Sequence, residues 1–176
     1  MRQLEEVGYS VTHDTENPQG EIAVINTCGF IGDAKEESIN MILEFAERKE
    51  EGDLKKLFVM GCLSERYQQE MADEFPEIDA VVGIGDQKDI IDILDHVLAN
   101  ERVVHFDDKI NLPVTGERII STLPFFAYLK IAEGCNNCCT YCAIPKIRGP
   151  YRSVPMDDVL EEAKWLAENG VTEIIV

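Results

Sequence analysis

The chain has 176 residues, 45% of them hydrophobic, enough for one packed domain plus part of a second. Lys and Arg total 16 against 34 Asp and Glu, a formal net charge of -18 that repels a phosphate backbone and excludes a general nucleic-acid footprint. No run of about 18 apolar residues occurs and residues 1–9 lack the apolar stretch of a signal peptide, so the sequence reads as cytoplasmic, with no transmembrane helix.

Residues 2–9, "RQLEEVGY", resemble the end of a helix, before which a right-handed βα pattern wants a strand; the sequence therefore reads as a fragment whose first strand is missing. "EIAVINT" (21–27) is a β-branched run. "DAKEESINMILEFAERKEEG" after it places Ile39, Ile42, Leu43 and Ala46 on one helical face and ends in Gly52. The pattern recurs as "KKLFVMG" then "SERYQQEMADEF", with Ser64 as N-cap, and as "DAVVGIG" then "DQKDIIDILDHVLAN", with Asp86 as N-cap. "RVVHF" closes the series. Alternating strands and helices predict an α/β, doubly wound parallel sheet over residues 1–106.

Residues 107–123 carry turn residues without sustained periodicity and read as a linker. A second unit, 124–176, opens with the strand "FFAYLKIAEG", passes through a cysteine loop and a helix over about residues 155–169 ended by Gly170, and finishes in "VTEIIV", a second parallel strand. One βαβ unit cannot bury both faces of its sheet, so this reads as the start of a larger, truncated domain.

Four of the six cysteines lie in "EGCNNCCTYCAIPKIRGPYR". In a reducing compartment such clusters are metal ligands or redox groups rather than disulfides. Cys135, Cys139 and Cys142, spaced CxxxCxxC, supply three thiolates from one loop. A structural zinc site wants four protein ligands, and so does an ordinary ferredoxin cluster. Three ligands on a four-iron cluster leave one iron open to a substrate or cofactor. Zinc and fortuitous clustering are the alternatives. Cys138, beside Cys139, is expected to point away and not to ligate. Cys28 and Cys62 each follow a strand directly, at the carboxyl edge where open α/β sheets bind ligands; a buried small hydrophobe is the plainer reading of either alone. His13, His96 and His105 show no ligand spacing, and "GIGD" (83–86) closes a strand and caps a helix rather than completing a nucleotide fingerprint.

"GCNNCCTYC" resembles the signature of the radical S-adenosylmethionine enzymes, and the longer "YLKIAEGCNNCCTYCAIPKIRGPYRS" is similar to their methylthiotransferase branch. That resemblance implies a 4Fe-4S cluster on Cys135, Cys139 and Cys142 whose open iron chelates S-adenosyl-L-methionine, which is cleaved to a 5'-deoxyadenosyl radical. It places Tyr141 near the adenine, where a packing aromatic is the alternative. It implies a second 4Fe-4S cluster in the amino-terminal domain, for which "NTCGF" and "GCLSERY" match two of three cysteine motifs, Cys28 and Cys62; the third is missing from the chain. An external electron donor is implied as well.

Within the branch, "NTCGFIGDAKEESI", "AYLKIAEGC" and "CAIPKIRG" resemble the members that methylthiolate the β-carbon of an aspartate in small-subunit ribosomal protein S twelve. The alternatives are a transfer RNA adenosine methylthiotransferase and a non-catalytic iron-sulfur or flavodoxin-like electron-transfer module; nucleic acid is a partner only in the first of these or through the ribosome. The fragment alone is expected to be inactive. Two positions depart from the family pattern: Cys138, where a basic or aromatic residue is usual, and Val154, where an arginine commonly ends the basic run. Arg148 and Arg152 of that run are candidates to hold an acidic substrate or an interdomain carboxylate, with a structural salt bridge as the alternative.

Overall fold

The computed structural model describes residues 1–13, 19–116 and 118–176. A short helix α1 (Arg2–Glu6) precedes the strand β1 (Ile22–Thr27). Helix α2 (Gly32–Glu51), closed by Gly52 in the left-handed conformation, returns the chain so that β2 (Lys56–Gly61) lies parallel to β1. Helix α3 (Cys62–Glu74) leads to β3 (Ala80–Val82), and a 3-10 turn (Ile84–Asp89) with helix α4 (Ile90–Leu98) leads to β4 (Val103–His105). The sheet is parallel throughout, in the order β1-β2-β3-β4. That order sets β1 and β2, the two strands followed by cysteine, side by side.

Side chains alternate across a strand, so β2 feeds two cores. Leu57 and Val59 join Ile42 and Ala46 of α2 and Leu63, Met71 and Ala72 of α3 on one face. Phe58 joins Ile90, Ile93, Leu94 and Val97 of α4 on the other, with Leu4 of α1 packed beside them. Helices thus cover both faces, which is the α/β architecture the alternating pattern implies. Full burial of Leu57, Phe58 and Ile42 contributes about 1.5–3 kcal/mol each, so this layer is the main source of stability.

Three local expectations need correction. On α2 the buried row is Ser38, Ile42 and Ala46, a strict four-residue stripe, whereas Ile39 and Leu43 are exposed. Ser64 does not cap α3; the helix begins two residues earlier, at Cys62, and the buried Ser64 Oγ instead contacts the carbonyls of Gly61 and Val82. Asp86 lies within the 3-10 turn, ahead of α4, and its Oδ2 accepts the Gly83 N–H at 2.8 Å. In both cases a polar residue read as a helix start is recruited by the end of a neighbouring strand.

The segment after β4 is more ordered than its lack of periodicity suggests. Residues Lys109–Asn111 form a 3-10 turn in which Asp108 accepts the Ile110 N–H at 3.0 Å, and Leu112 is buried. Further on, β5 (Phe126–Tyr128) pairs in parallel with β8 (Glu173–Ile175), and helix α6 (Met156–Glu168) packs Leu166 against Ala127, Leu129 and Val171. The single strand expected over 125–134 is broken: β6 (Ala132–Glu133) leaves β5 and pairs antiparallel with β7 (Arg152–Ser153). Between them the chain makes helix α5 (Ile144–Arg148), which the sequence reading missed. Its signals were Pro145 in the first turn and Gly149 just past the end. Among the described residues no helix is long and apolar enough to cross a membrane.

Candidate functional site

The β6–β7 pair closes the base of the cysteine loop. The Cys135 N–H donates to the Gly149 carbonyl at 3.1 Å, and the Tyr151 N–H donates to Asn136 Oδ1 at 2.9 Å. Gly134 sits at φ 73°, and a Cβ there would lie 2.2 Å from the Pro150 carbonyl oxygen, so the two sides of the loop base meet only because that side chain is hydrogen. Within the loop the Cys142 N–H donates to the Cys139 carbonyl at 3.1 Å, a tight turn that carries Thr140 and Tyr141 at its tip. Tyr141 is 91% exposed, so the packing alternative for it fails within this chain.

Cys135 and Cys142 are half-buried, whereas Cys138 and Cys139 are exposed. An Asn137 N–H reaches Cys135 Sγ at 3.4 Å. Cys138 Sγ turns back to the Asn136 carbonyl at 3.8 Å, within its own loop. Among the described residues, the side chains that come within 4.8 Å of one another, as ligands of a single ion do, are Asp86, Asp89 and Asp107, and the cysteines are not among them. Thiolates spread around a cluster, each on its own iron, need no such convergence. Three loop thiols are a donor set that an iron-sulfur cluster or a zinc ion can use. The acidic trio is already engaged: Asp86 also receives His105 Nδ1 at 2.6 Å, and Lys88 Nζ lies 3.3 Å from Asp107.

Glu133, immediately before the loop, is buried. Burial alone would raise its carboxyl, but the Lys130 ammonium hydrogen-bonded to it and the nearby Arg148 guanidinium outweigh that and hold it below the usual carboxylate range. Arg148 Nη1 lies 3.6 Å from Glu133 Oε2.

The other two cysteines are brought together by register. Thr27 and Gly61 are partners across β1 and β2, so Cys28 and Cys62, each the next residue, leave the same sheet edge. Ser38 holds the first by accepting the Cys28 N–H at 2.9 Å, and Thr27 Oγ1 accepts the Leu63 N–H at 3.3 Å beside the second. Gly29 completes the contact, since a Cβ there would stand 2.5 Å from the Cys62 carbonyl oxygen. Burial pushes the Cys62 thiol up, the nearby Arg148 guanidinium opposes this, and the neighbouring Cys28 adds to it. Arg148 therefore takes the structural salt-bridge alternative, with Glu133 of its own unit, while its charge also acts on the thiol of Cys62. Arg152 is spent differently, on the carbonyls of Lys109, Ile110 and Leu112 at 3.3, 2.6 and 3.0 Å. Val154 is buried, with its N–H on the Ile131 carbonyl at 2.9 Å, so an arginine is replaced there by a core contact.

Comparison with known proteins finds two family matches and a set of full-chain relatives. Residues 1–83 match the Uncharacterized protein family UPF0004, and residues 129–176 match the Radical SAM superfamily. The chain is 58% identical over 176 residues to Ribosomal protein uS12 methylthiotransferase RimO of Bacteroides thetaiotaomicron, covering all of this chain and 38% of that protein. The chain is thus similar along its whole length to the radical S-adenosylmethionine methylthiotransferases. The RimO proteins of Phocaeicola vulgatus, 53% identical over 173 residues, and Clostridioides difficile, 47% over 178 residues, are also related across 98% of the chain. The chain spans 38% of the length of the Bacteroides thetaiotaomicron relative. The Radical SAM match implies a 4Fe-4S cluster and S-adenosyl-L-methionine as cofactors.

Proposed function

We propose that the whole protein methylthiolates the β-carbon of an aspartate in ribosomal protein S twelve (uS12), in the cytoplasm and with an external electron donor. One observation carries the reading: the chain holds two separate cysteine sites, the CxxxCxxC loop and the Cys28–Cys62 edge, and Arg148 lies between them. A single-cluster or electron-transfer module has no need of the second. The names of the relatives favour the ribosomal protein over transfer RNA as substrate.

In this reading Cys135, Cys139 and Cys142 hold the radical cluster, and Cys28 and Cys62 give two thiolates to a second one. The first cluster, when bound, would supply one-electron cleavage of S-adenosylmethionine. The chain's own residues orient these sites. The β6–β7 pair and Gly134 fix the base of the loop. Tyr141 at the exposed tip is free to cover an adenine. Glu133, kept ionised, anchors Arg148, whose positive charge favours the thiolate form of Cys62 that a metal requires. The test is mass spectrometry of uS12 incubated anaerobically with the reconstituted full-length protein, S-adenosylmethionine and reductant. A methylthio increment on one aspartate is expected, and its absence from a preparation with both clusters and active cofactor cleavage overturns the substrate.

A further inference from the structure

We propose that Lys109 is a positioning residue that fixes the separation of the two cysteine sites. Its ammonium donates in two directions, to Glu65 Oε1 at 2.9 Å and to the Lys146 carbonyl at 2.6 Å. Glu65 lies on α3, three residues after Cys62, and its side chain is 1% exposed; its other oxygen accepts the Ile84 N–H at 3.1 Å. Lys146 lies on α5, four residues after Cys142. One ammonium therefore ties the element carrying Cys62 to the element following Cys142.

The tie is stiff at its root. Lys109 sits in the 3-10 turn whose carbonyls are clamped by Arg152, and its stem crosses Gly149, where a Cβ would be 2.8 Å from Lys109 Cγ. Arg148 pairs with Glu133 of its own unit and acts on Cys62, a proposed cluster ligand, through its charge. The partners of Lys109 are a carboxylate and a main-chain carbonyl, neither of which is asked to ligate. Transfer of a group from one site to a carbon activated at another depends on their separation, because a misplacement of about 1 Å costs on the order of 10²-fold.

The consequence for catalysis rests on the two-cluster reading above; the tie itself does not. Lys109→Met keeps the stem over Gly149 and removes the ammonium, but it leaves the buried Glu65 carboxylate alone, so the decisive variant is Lys109→Met with Glu65→Gln, which removes the orphaned charge as well. In the full-length protein this double variant is expected to melt cooperatively, to bind wild-type iron and to cleave S-adenosylmethionine at the wild-type rate. Methylthio transfer per cofactor cleaved should fall by about 10-fold or more. In the cluster-free full-length protein, hydrogen exchange should accelerate at residues 109–112 and 144–148 and stay unchanged in α4 and β3. Wild-type coupling of transfer to cleavage, or unchanged exchange at both segments, overturns the proposal. If the wild-type protein itself fails to modify uS12, the substrate reading falls and the exchange measurement still decides the role of Lys109.

Discussion

Thr27 and Gly61 are register partners across β1 and β2, and the residue after each is a cysteine. The thiols of Cys28 and Cys62 are therefore neighbours in a domain separate from the CxxxCxxC loop. In the full-length protein, Cys28→Ala or Cys62→Ala should lose the iron of one cluster, retain S-adenosylmethionine cleavage and abolish methylthio transfer. Iron and sulfide analysis beside product mass spectrometry checks this; normal methylthiolation by either variant removes the two-cluster reading.

Cys138→Ala should keep full iron, because its sulfur turns toward the Asn136 carbonyl in its own loop. Alanine at Cys135, Cys139 or Cys142 should lose the radical cluster outright. Metal content of the four variants, prepared anaerobically in parallel, separates the cases, and iron loss from the Cys138 variant shows that the ligand set is misassigned.

Gly29→Ala would place a Cβ 2.5 Å from the Cys62 carbonyl oxygen, against backbone that cannot rotate aside. Overpacking of this kind costs about 1–3 kcal/mol. Thermal melting of the cluster-free protein should show that loss, and the loaded protein should bind less iron because Cys28 and Cys62 are pushed apart. An unchanged melting temperature shows that the edge is more pliant than its contacts indicate.

Asp79, just before β3, accepts the Leu57 N–H at 2.8 Å and Lys49 Nζ at 2.5 Å, with Lys56 Nζ at 3.4 Å. Asp79→Ala removes the acceptor of a buried N–H and the anionic partner of Lys49 and Lys56, which keep only the neutral acceptors Glu77 carbonyl and Asn100 Oδ1, and should cost about 3 kcal/mol in chemical denaturation. Asp79→Asn should recover part of this through Leu57 but not the ion pairs.

Asp107 is held below the usual carboxylate range by the Asn111 amide, the Asp108 N–H and Lys88, in that order. A depressed folded-state pKa contributes stability above the unfolded pKa and loses it as pH falls through the lower folded value. The turn at Lys109–Asn111 should therefore loosen on acidification below the ordinary Asp range. Melting temperatures of wild type and Asp107→Asn should differ near neutral pH and converge in acid; a constant difference across that range counts against Asp107 as the titrating group.

The strands β1 to β4 and the helices between them were legible because each carries a pattern that local chemistry imposes: β-branched runs for the strands, and an apolar helical repeat for α2. The spacing of Cys135, Cys139 and Cys142 and the placement of Cys28 and Cys62 after strands were legible for the same reason, since both are relations along the chain. What failed was local polar chemistry with distant partners. Ser64 and Asp86 have the composition of helix caps, yet Ser64 is taken by Val82 and Asp86 by His105, which only the packing of β3 beside β2 and β4 brings near. The short elements α5, β6 and β7 escaped because two to five residues carry no period, and their pairing is set by the loop they close. Periodicity and spacing along the chain thus determined a layered α/β sheet and two groups of thiols. That Lys109 and Arg148 stand between those groups was decided by the docking of α5 on α3, a contact between residues about eighty positions apart that no local pattern encodes.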